Sequence, residues 1–184
     1  MLLTTSPSAK HQKNLEASAA GFGRYYSKEM RKQIISRKSP TAAEKEWLDL
    51  DSRAAVEVTS EDDRFPIESA LTGQGRGGWR AAEPGTQKIR LIFDQPQHLR
   101  QISLIFEETE TSRMQEFTLR WSPDGGKSFQ EIVRQQWNFS SPHATRETEN
   151  YVVDLPQVTV LELTIEPDKE NKQAVASLLS LGLC

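Results

Sequence analysis

From Ala54 onward the chain alternates apolar and polar side chains with a period of two. Ala55-Val56-Glu57-Val58-Thr59, Lys88-Ile89-Arg90-Leu91-Ile92-Phe93 and Phe117-Thr118-Leu119-Arg120-Trp121 each put their apolar residues on one face. That is the pattern of a strand buried on one side and wet on the other. It extends to residues 99–106, 129–137, 151–155, 158–165 and 174–183, with a short piece at 78–81. No helical period separates these segments, so the strands must pair antiparallel. The expected fold is an all-β, antiparallel jelly-roll β-sandwich over residues 54–184 rather than a doubly wound α/β sheet.

Residues ahead of the alternation read differently. Residues 1–40 carry Lys10, Lys13, Arg24, Lys28, Arg31, Lys32, Arg37 and Lys38 against Glu16 and Glu29, a charge of +6. With the whole chain at -3, residues 41–184 hold -9. Residues 1–38, rich in Ser, Ala, Lys and Gln, read as a basic, mobile arm with a short helix over 28–36. Pro40 suits a first helical turn, and Thr41 with Glu44 has capping-box spacing. A helix over 40–50 is expected within a docked segment, 39–53, with Ala43, Trp47 and Leu50 on its buried stripe. The one cysteine, Cys184, has no intramolecular partner, which excludes a disulfide scaffold and a zinc ribbon. Mean hydropathy is -0.62, and the start, MLLTTSPSAK, lacks a basic stretch followed by a long apolar run. A cytoplasmic protein with no membrane partner is expected.

Counting strand directions sorts the connections into two ends. Asp94-Gln95-Pro96-Gln97, Ser122-Pro123-Asp124-Gly125-Gly126 and Leu155-Pro156-Gln157 read as tight turns at one end, which Cys184 also approaches. The longer connections, 60–66, 82–86, 107–114, 138–149 and 166–173, gather at the other end. Long loops on a rigid scaffold are where binding residues concentrate.

The sequence offers no catalytic residues. It has no Gly-x-Ser-x-Gly elbow, and His11, His98 and His143 fall in the arm, beside a turn and in a long loop. Gly73-Gln74-Gly75-Arg76-Gly77-Gly78 lacks the Gly-Lys-Ser/Thr ending of a phosphate loop and leads into a strand, so it reads as a flexible connection. Glu61-Asp62-Asp63, Glu107-Glu108 with Glu110, and Asp168 with Glu170 crowd carboxylates into the long loops. Without Asp-x-Asp-x-Asp-Gly spacing they read as a solvated rim, and neither a metal nor a cofactor is expected. Trp121 shares parity with Phe117 and Leu119 and belongs to the core. Trp137 and Trp79 lie at the edges of long loops, and Trp137 is set among Arg134, Gln135, Gln136 and Asn138. An indole beside planar amides and a guanidinium suits a sugar ring or a peptide. The candidate ligand-binding residues are therefore Trp137, Arg134, Gln136 and Trp79, with Arg113 and His143 as rim contacts. The other reading, in which Trp137 closes the sandwich and Arg134 pairs with a neighbouring acid, stands beside it.

Trp79-Arg80-Ala81-Ala82-Glu83-Pro84-Gly85, Gln87 to Phe93, Leu99 to Phe106, the run Phe117 to Gly125 and the closing Ala176-Ser177-Leu178 together resemble the galactose-binding-like superfamily. Its discoidin (coagulation factor 5/8 type C) domains and related bacterial carbohydrate-binding proteins show the same order, over about residues 54–184. The resemblance implies a jelly roll that binds ligands through loops at one end without catalysis. The disulfide that often joins the ends of secreted members is absent, and no sugar-contact motif of the family matches residue by residue. The expected function is a non-enzymatic carbohydrate-binding module whose partner is a carbohydrate or another small ligand. A protein-interaction or nucleic-acid-associated adaptor using the basic arm is the alternative, although the acidic body argues against a nucleic-acid partner.

Overall fold

The computed structural model of the chain describes residues 46–72 and 77–184. Among them, in chain order, lie β1 (Ala54–Val58), α1 (Glu68–Leu71), β2 (Trp79–Pro84), β3 (Gln87–Glu107), β4 (Arg113–Ser122), β5 (Gln130–Phe139), β6 (Arg146–Glu166), β7 (Val175–Leu178) and β8 (Ser180–Leu183). All strand pairings are antiparallel.

Two strands of 21 residues organise the rest. β3 and β6 run side by side from Gln87↔Ile165 to Glu107↔Arg146. The first half of β3 has β1 as its other neighbour, and the second half has β8. The second half of β6 pairs with β4, which pairs with β5. Between the halves the register slips three times, from Ile92 to Gln101, and the ribbon folds over on itself. A layer ordered β1-β3-β6-β4-β5 then faces a layer ordered β8-β3-β6, with β2 and β7 as a separate two-stranded sheet.

Asp94–Gln97 and Leu155–Gln157, expected as tight turns, are corners inside continuous strands. Pro96 and Pro156 have no N–H for a ladder bond and are tolerated where pairing is already broken by a bulge. The slips also change which face is buried. Ile89, Leu91 and Phe93 point inward before the corner, and Ile102, Leu104 and Phe106 after it. Buried parity thus passes from odd to even, and both halves of β3 present their apolar side to one core. Because a corner reverses the course of the chain across the sandwich as a turn would, the sorting of loops by end is preserved.

Aromatic contacts close the core between the layers. The Phe106 ring lies 5.3 Å from both Phe117 and Trp137. Phe117 and Trp137 stack at 4.8 Å, and Tyr151 lies 6.5 Å from Phe117. Burial, and then the nearby Glu149, raise the Tyr151 hydroxyl pKa.

The outer face of the larger layer is charged. Register places Glu57, Arg90, Glu162, Arg120 and Glu131 in one row across the strands. Glu162 is fully buried there, because Arg90 Nε donates to it at 2.7 Å, Arg120 donates to its other oxygen, and the Phe129 ring lies 5.9 and 5.1 Å from the two guanidinium carbons. Burial alone would raise its pKa. The bonds from Arg120 and Arg90 outweigh that and hold the carboxyl below the usual range.

The segment before β1 is docked but extended. Residues 46–50 are not helical, which corrects the helix expected over 40–50 in its described part. Leu48 N donates to Leu183 O at 2.8 Å, so this backbone is spent on β8 instead of on a helical turn. Trp47 is 45% exposed and lies across Gly182, where a Cβ would stand 3.1 Å from the indole. Leu50 is buried. The basic arm, the helix over 28–36 and the capping box fall outside the described residues. α1 is four residues long, too short to leave a period in the sequence. No helix among the described residues is long and apolar enough to cross a membrane.

Phe117→Ala is expected to cost about 3–5 kcal/mol in urea unfolding, whereas Val152→Thr, at a position 88% exposed, stays within about 0.5 kcal/mol. A depressed carboxyl pKa stabilises the fold above the unfolded-state value of about 4.3, and the gain is lost as pH falls through the lower folded-state value. Glu162→Gln should therefore lower stability at neutral pH and flatten the acid limb of the stability profile. The neutral-pH loss is about 2 kcal/mol, below that of a fully buried pair because the arginine side chains are 39% and 37% exposed.

Candidate functional site

Five connections meet at one end of the sandwich and are tied to one another. Glu108 N donates to Thr145 O at 2.7 Å, Ser141 Oγ to Thr109 O at 2.9 Å, and Lys169 N to Met114 O at 3.3 Å. Gly85 N donates to Ala174 O, and Asp62 N to Arg80 O, both at 2.9 Å. The opposite end holds the two corners and the turn after β4. There Asp124 accepts from Ser122 Oγ, Ser128 Oγ and the N–H groups of Ser128 and Lys127, which keep its carboxyl well below the usual range.

Between the loops lies a cavity of about 570 Å³ lined by Arg80, Glu108, Glu110, Thr111, Ser112, Arg113, Asp168, Glu170, Asn171, Gln173, Ala174 and Val175. A recess of about 120 Å³ shares Arg80, Glu108, Glu110 and Val175 with it and adds Phe65 and Trp79. Of these carboxylates and guanidinium groups, Glu108, Glu110, Asp168 and Glu170 face Arg80 and Arg113, leaving two net negative charges. Such a lining favours an uncharged or cationic ligand over an anion.

Arg113 frames this cavity from its wall. Its side chain is 6% exposed; Nε lies 3.1 Å from Glu108 Oε2, one terminal nitrogen donates to Val175 O at 2.9 Å and the other to Gln115 Oε1 at 3.3 Å. Burial lowers its pKa and Glu108 opposes the shift. Glu108 in turn accepts the N–H groups of Glu110 and Thr111 at 2.8 and 3.1 Å. Arg113 thus clamps β4, β7 and the loop after β3 together. Asp168 accepts Glu170 N and Asn171 accepts Gln173 N, each at 3.0 Å, so the loop after β6 is built of two Asx turns. Asp62 is held near pKa 2, chiefly by the Arg64 side chain.

Only two of the six expected binding residues border this site. Trp79 lines the recess but is fully buried, and its indole N–H has no partner among the described residues. Behind it the chain is close-packed: at Gly78, with φ +65°, a Cβ would stand 2.3 Å from Leu178 O. Arg113 lines the main cavity as a clamp. Trp137 stacks on Phe117 in the core instead of on a loop rim. Arg134 and Gln136 lie on the outer face of the larger layer, where Arg134 pairs with Glu116 at 3.4 Å and Glu131 at 3.2 Å. His143 is exposed in the turn that follows the cis Ser141-Pro142 bond. Trp121 packs against the core as expected. The acidic clusters are engaged locally, Glu61 by Ile67 N at 2.7 Å and Asp62 by Arg64 at 2.6 Å. Among the described residues no three or more His, Cys, Asp or Glu side chains are grouped to hold a metal.

Sequence reasoning did not single out Arg80, Phe65, Asn171 and Gln173. Arg80 had a signal, since it stands at the opposite parity to Trp79 and only one of the two can face out. The others gave none, because loop residues carry no period.

No protein-family model and no curated protein sequence matches the chain. Solved structures do. A CBM32 module of a family 31 glycoside hydrolase from Clostridium perfringens has a TM-score of 0.53 at 19% identity, over 74% of this chain and 93% of that one. A second CBM32 module from Clostridium perfringens, solved with GalNAc-β-1,3-galactose, has a TM-score of 0.55 at 16% identity, over 75% and 99%. A Ruminococcus gnavus GH29 fucosidase matches with a TM-score of 0.56 at 9% identity, over 71% of this chain and 24% of its own.

Arg113→Ala should cost about 3 kcal/mol by breaking a buried ion pair, read by urea unfolding, while Arg134→Ala, whose side chain is 57% exposed, stays within about 0.5 kcal/mol. From the loops upward, the described chain has an antiparallel jelly-roll fold that it shares with the CBM32 modules.

Proposed function

We propose that this chain is a non-catalytic carbohydrate-binding module that takes a neutral sugar in the cavity at the loop end. The observation that carries the reading is the 570 Å³ polar cavity between the loops after β3 and β6, closed by Arg80 of β2, on a sandwich of the fold that the CBM32 modules share. Planar amides at Asn171 and Gln173, a guanidinium at Arg80 and a carboxylate at Asp168 offer both donors and acceptors, as a ring of hydroxyls requires. Phe65 gives the recess an apolar wall for the sugar's C–H face. The two net negative charges disfavour an acidic sugar here. The role needs binding without turnover, and Arg113 supports it by holding the walls in place.

A glycan array followed by titration calorimetry on the full chain tests this. Retention of a neutral glycan is expected, with Arg80→Ala and Asn171→Ala each weakening it by about tenfold. No retained glycan, or affinity unchanged in both variants, would sink the proposal. Salt-sensitive nucleic-acid binding that disappears on deletion of residues 1–38 would establish the adaptor reading in its place.

A further inference from the structure

We propose that the outer face of the larger layer is a second ligand site, which takes a glycan segment bearing a single carboxylate, an acidic sugar. Lys88, Thr164, Thr118 and Arg134 form one register row across β3, β6, β4 and β5. An ammonium and a guanidinium stand at the ends of this row with two hydroxyls between them. Three interstrand steps of about 4.8 Å make it roughly 14 Å long, the reach of an oligosaccharide. The row floors a groove of about 310 Å³ that also touches Thr86, Glu116, Arg120 and Glu166.

Charge bookkeeping on this face leaves Lys88 short of a partner. Glu116 is taken by Lys169 at 2.6 Å and Arg134 at 3.4 Å, Glu166 by Lys172 at 2.8 Å, and Glu131 by Arg134 at 3.2 Å. Among the described residues Glu162 is the one carboxylate paired with Lys88, at 3.9 Å, and its two oxygens already accept from Arg90 and Arg120. Arg90 has Glu57 as a second partner at 3.8 Å, so two carboxylates serve three cations and one positive charge is left over. The groove consequently holds unspent positive charge, on a body whose residues 41–184 sum to -9. Arg120 lines the groove too, fixed by Glu162 and by the Phe129 ring at 5.1 Å, with Nε and one terminal nitrogen unbonded among the described residues. The Thr118 and Thr164 hydroxyls have no partner among the described residues and suit sugar hydroxyls.

A single carboxylate fits this arrangement and a polyanion does not. Glu57, Glu116, Glu131, Glu162 and Glu166 share the face, and a nucleic-acid duplex, with about one charge per 1.7 Å, would be driven against them. The site is separate from the loop cavity and of opposite preference.

The experiment uses the isotope-labelled full chain with three probes: a trisaccharide ending in glucuronic acid, the same trisaccharide ending in glucose, and a short DNA duplex. The glucuronic acid probe is expected to shift the amide signals of Lys88, Thr118 and Thr164, and the glucose probe to leave them in place. Lys88→Gln and Thr118→Val should each weaken the acidic probe, Lys88→Gln by about tenfold, with a spectrum otherwise that of the unaltered chain. The proposal is overturned by no shift at these three amides at millimolar probe, by an equal response to the glucose probe, by affinity unchanged in Lys88→Gln, or by tighter binding of the duplex at this face.

Discussion

The pairing of β3 with β6 is the constraint from which the rest of the molecule follows. Each strand is 21 residues long, several times the usual length, and a flat ribbon of that size would bury neither face. The bulges between Ile92 and Gln101 resolve this by folding the ribbon while inverting its buried parity. One pair of strands then supplies the centre of both layers, and the shorter strands only extend them. Phe106 on one half of the ribbon meets Phe117 and Trp137 across the core, which couples the layers through dispersion and apolar burial. The same fold-over brings the free ends of both halves to one end, so the cavity among the loops is a direct product of the corner.

Electrostatics divides the surface into two unlike regions. The loop end is acidic, and its deeply placed Arg113 is spent on Glu108 and on the backbone of β7. The outer face of the larger layer inverts this logic, since its deeply placed charge is the carboxylate of Glu162 and the cations surround it. A buried anion held by shared guanidinium groups leaves residual positive character above it, and a buried cation held by a carboxylate leaves a neutral wall. Two sites of different ligand preference can therefore exist on one small sandwich without interfering.

Much of this architecture was legible in the alternation of residues 54–184, because a half-buried strand must repeat every two residues whatever its neighbours are. The loop sorting by end was legible too, since direction reverses at each break in the pattern. The nature of two breaks was not. Pro96 and Pro156 signal an interruption of the ladder, and a reverse turn and a bulged corner interrupt it alike. Trp137 illustrates the same limit for the site. Its neighbours Arg134, Gln136 and Asn138 are polar because they face outward, while the indole between them faces the core, so the mixture that suggested a sugar platform is the two faces of one strand.

The sequence by itself determined the all-β class, the antiparallel pairing and the distribution of charge between residues 1–40 and 41–184, because each is a local property of pattern or composition. Tertiary structure alone decided which loop residues share a cavity, that Arg113 is a clamp, and that Lys88 and Arg134, 46 positions apart in the sequence, end one row. Those facts depend on register across β3, β6, β4 and β5, and register is set by how the whole core packs rather than by any single strand.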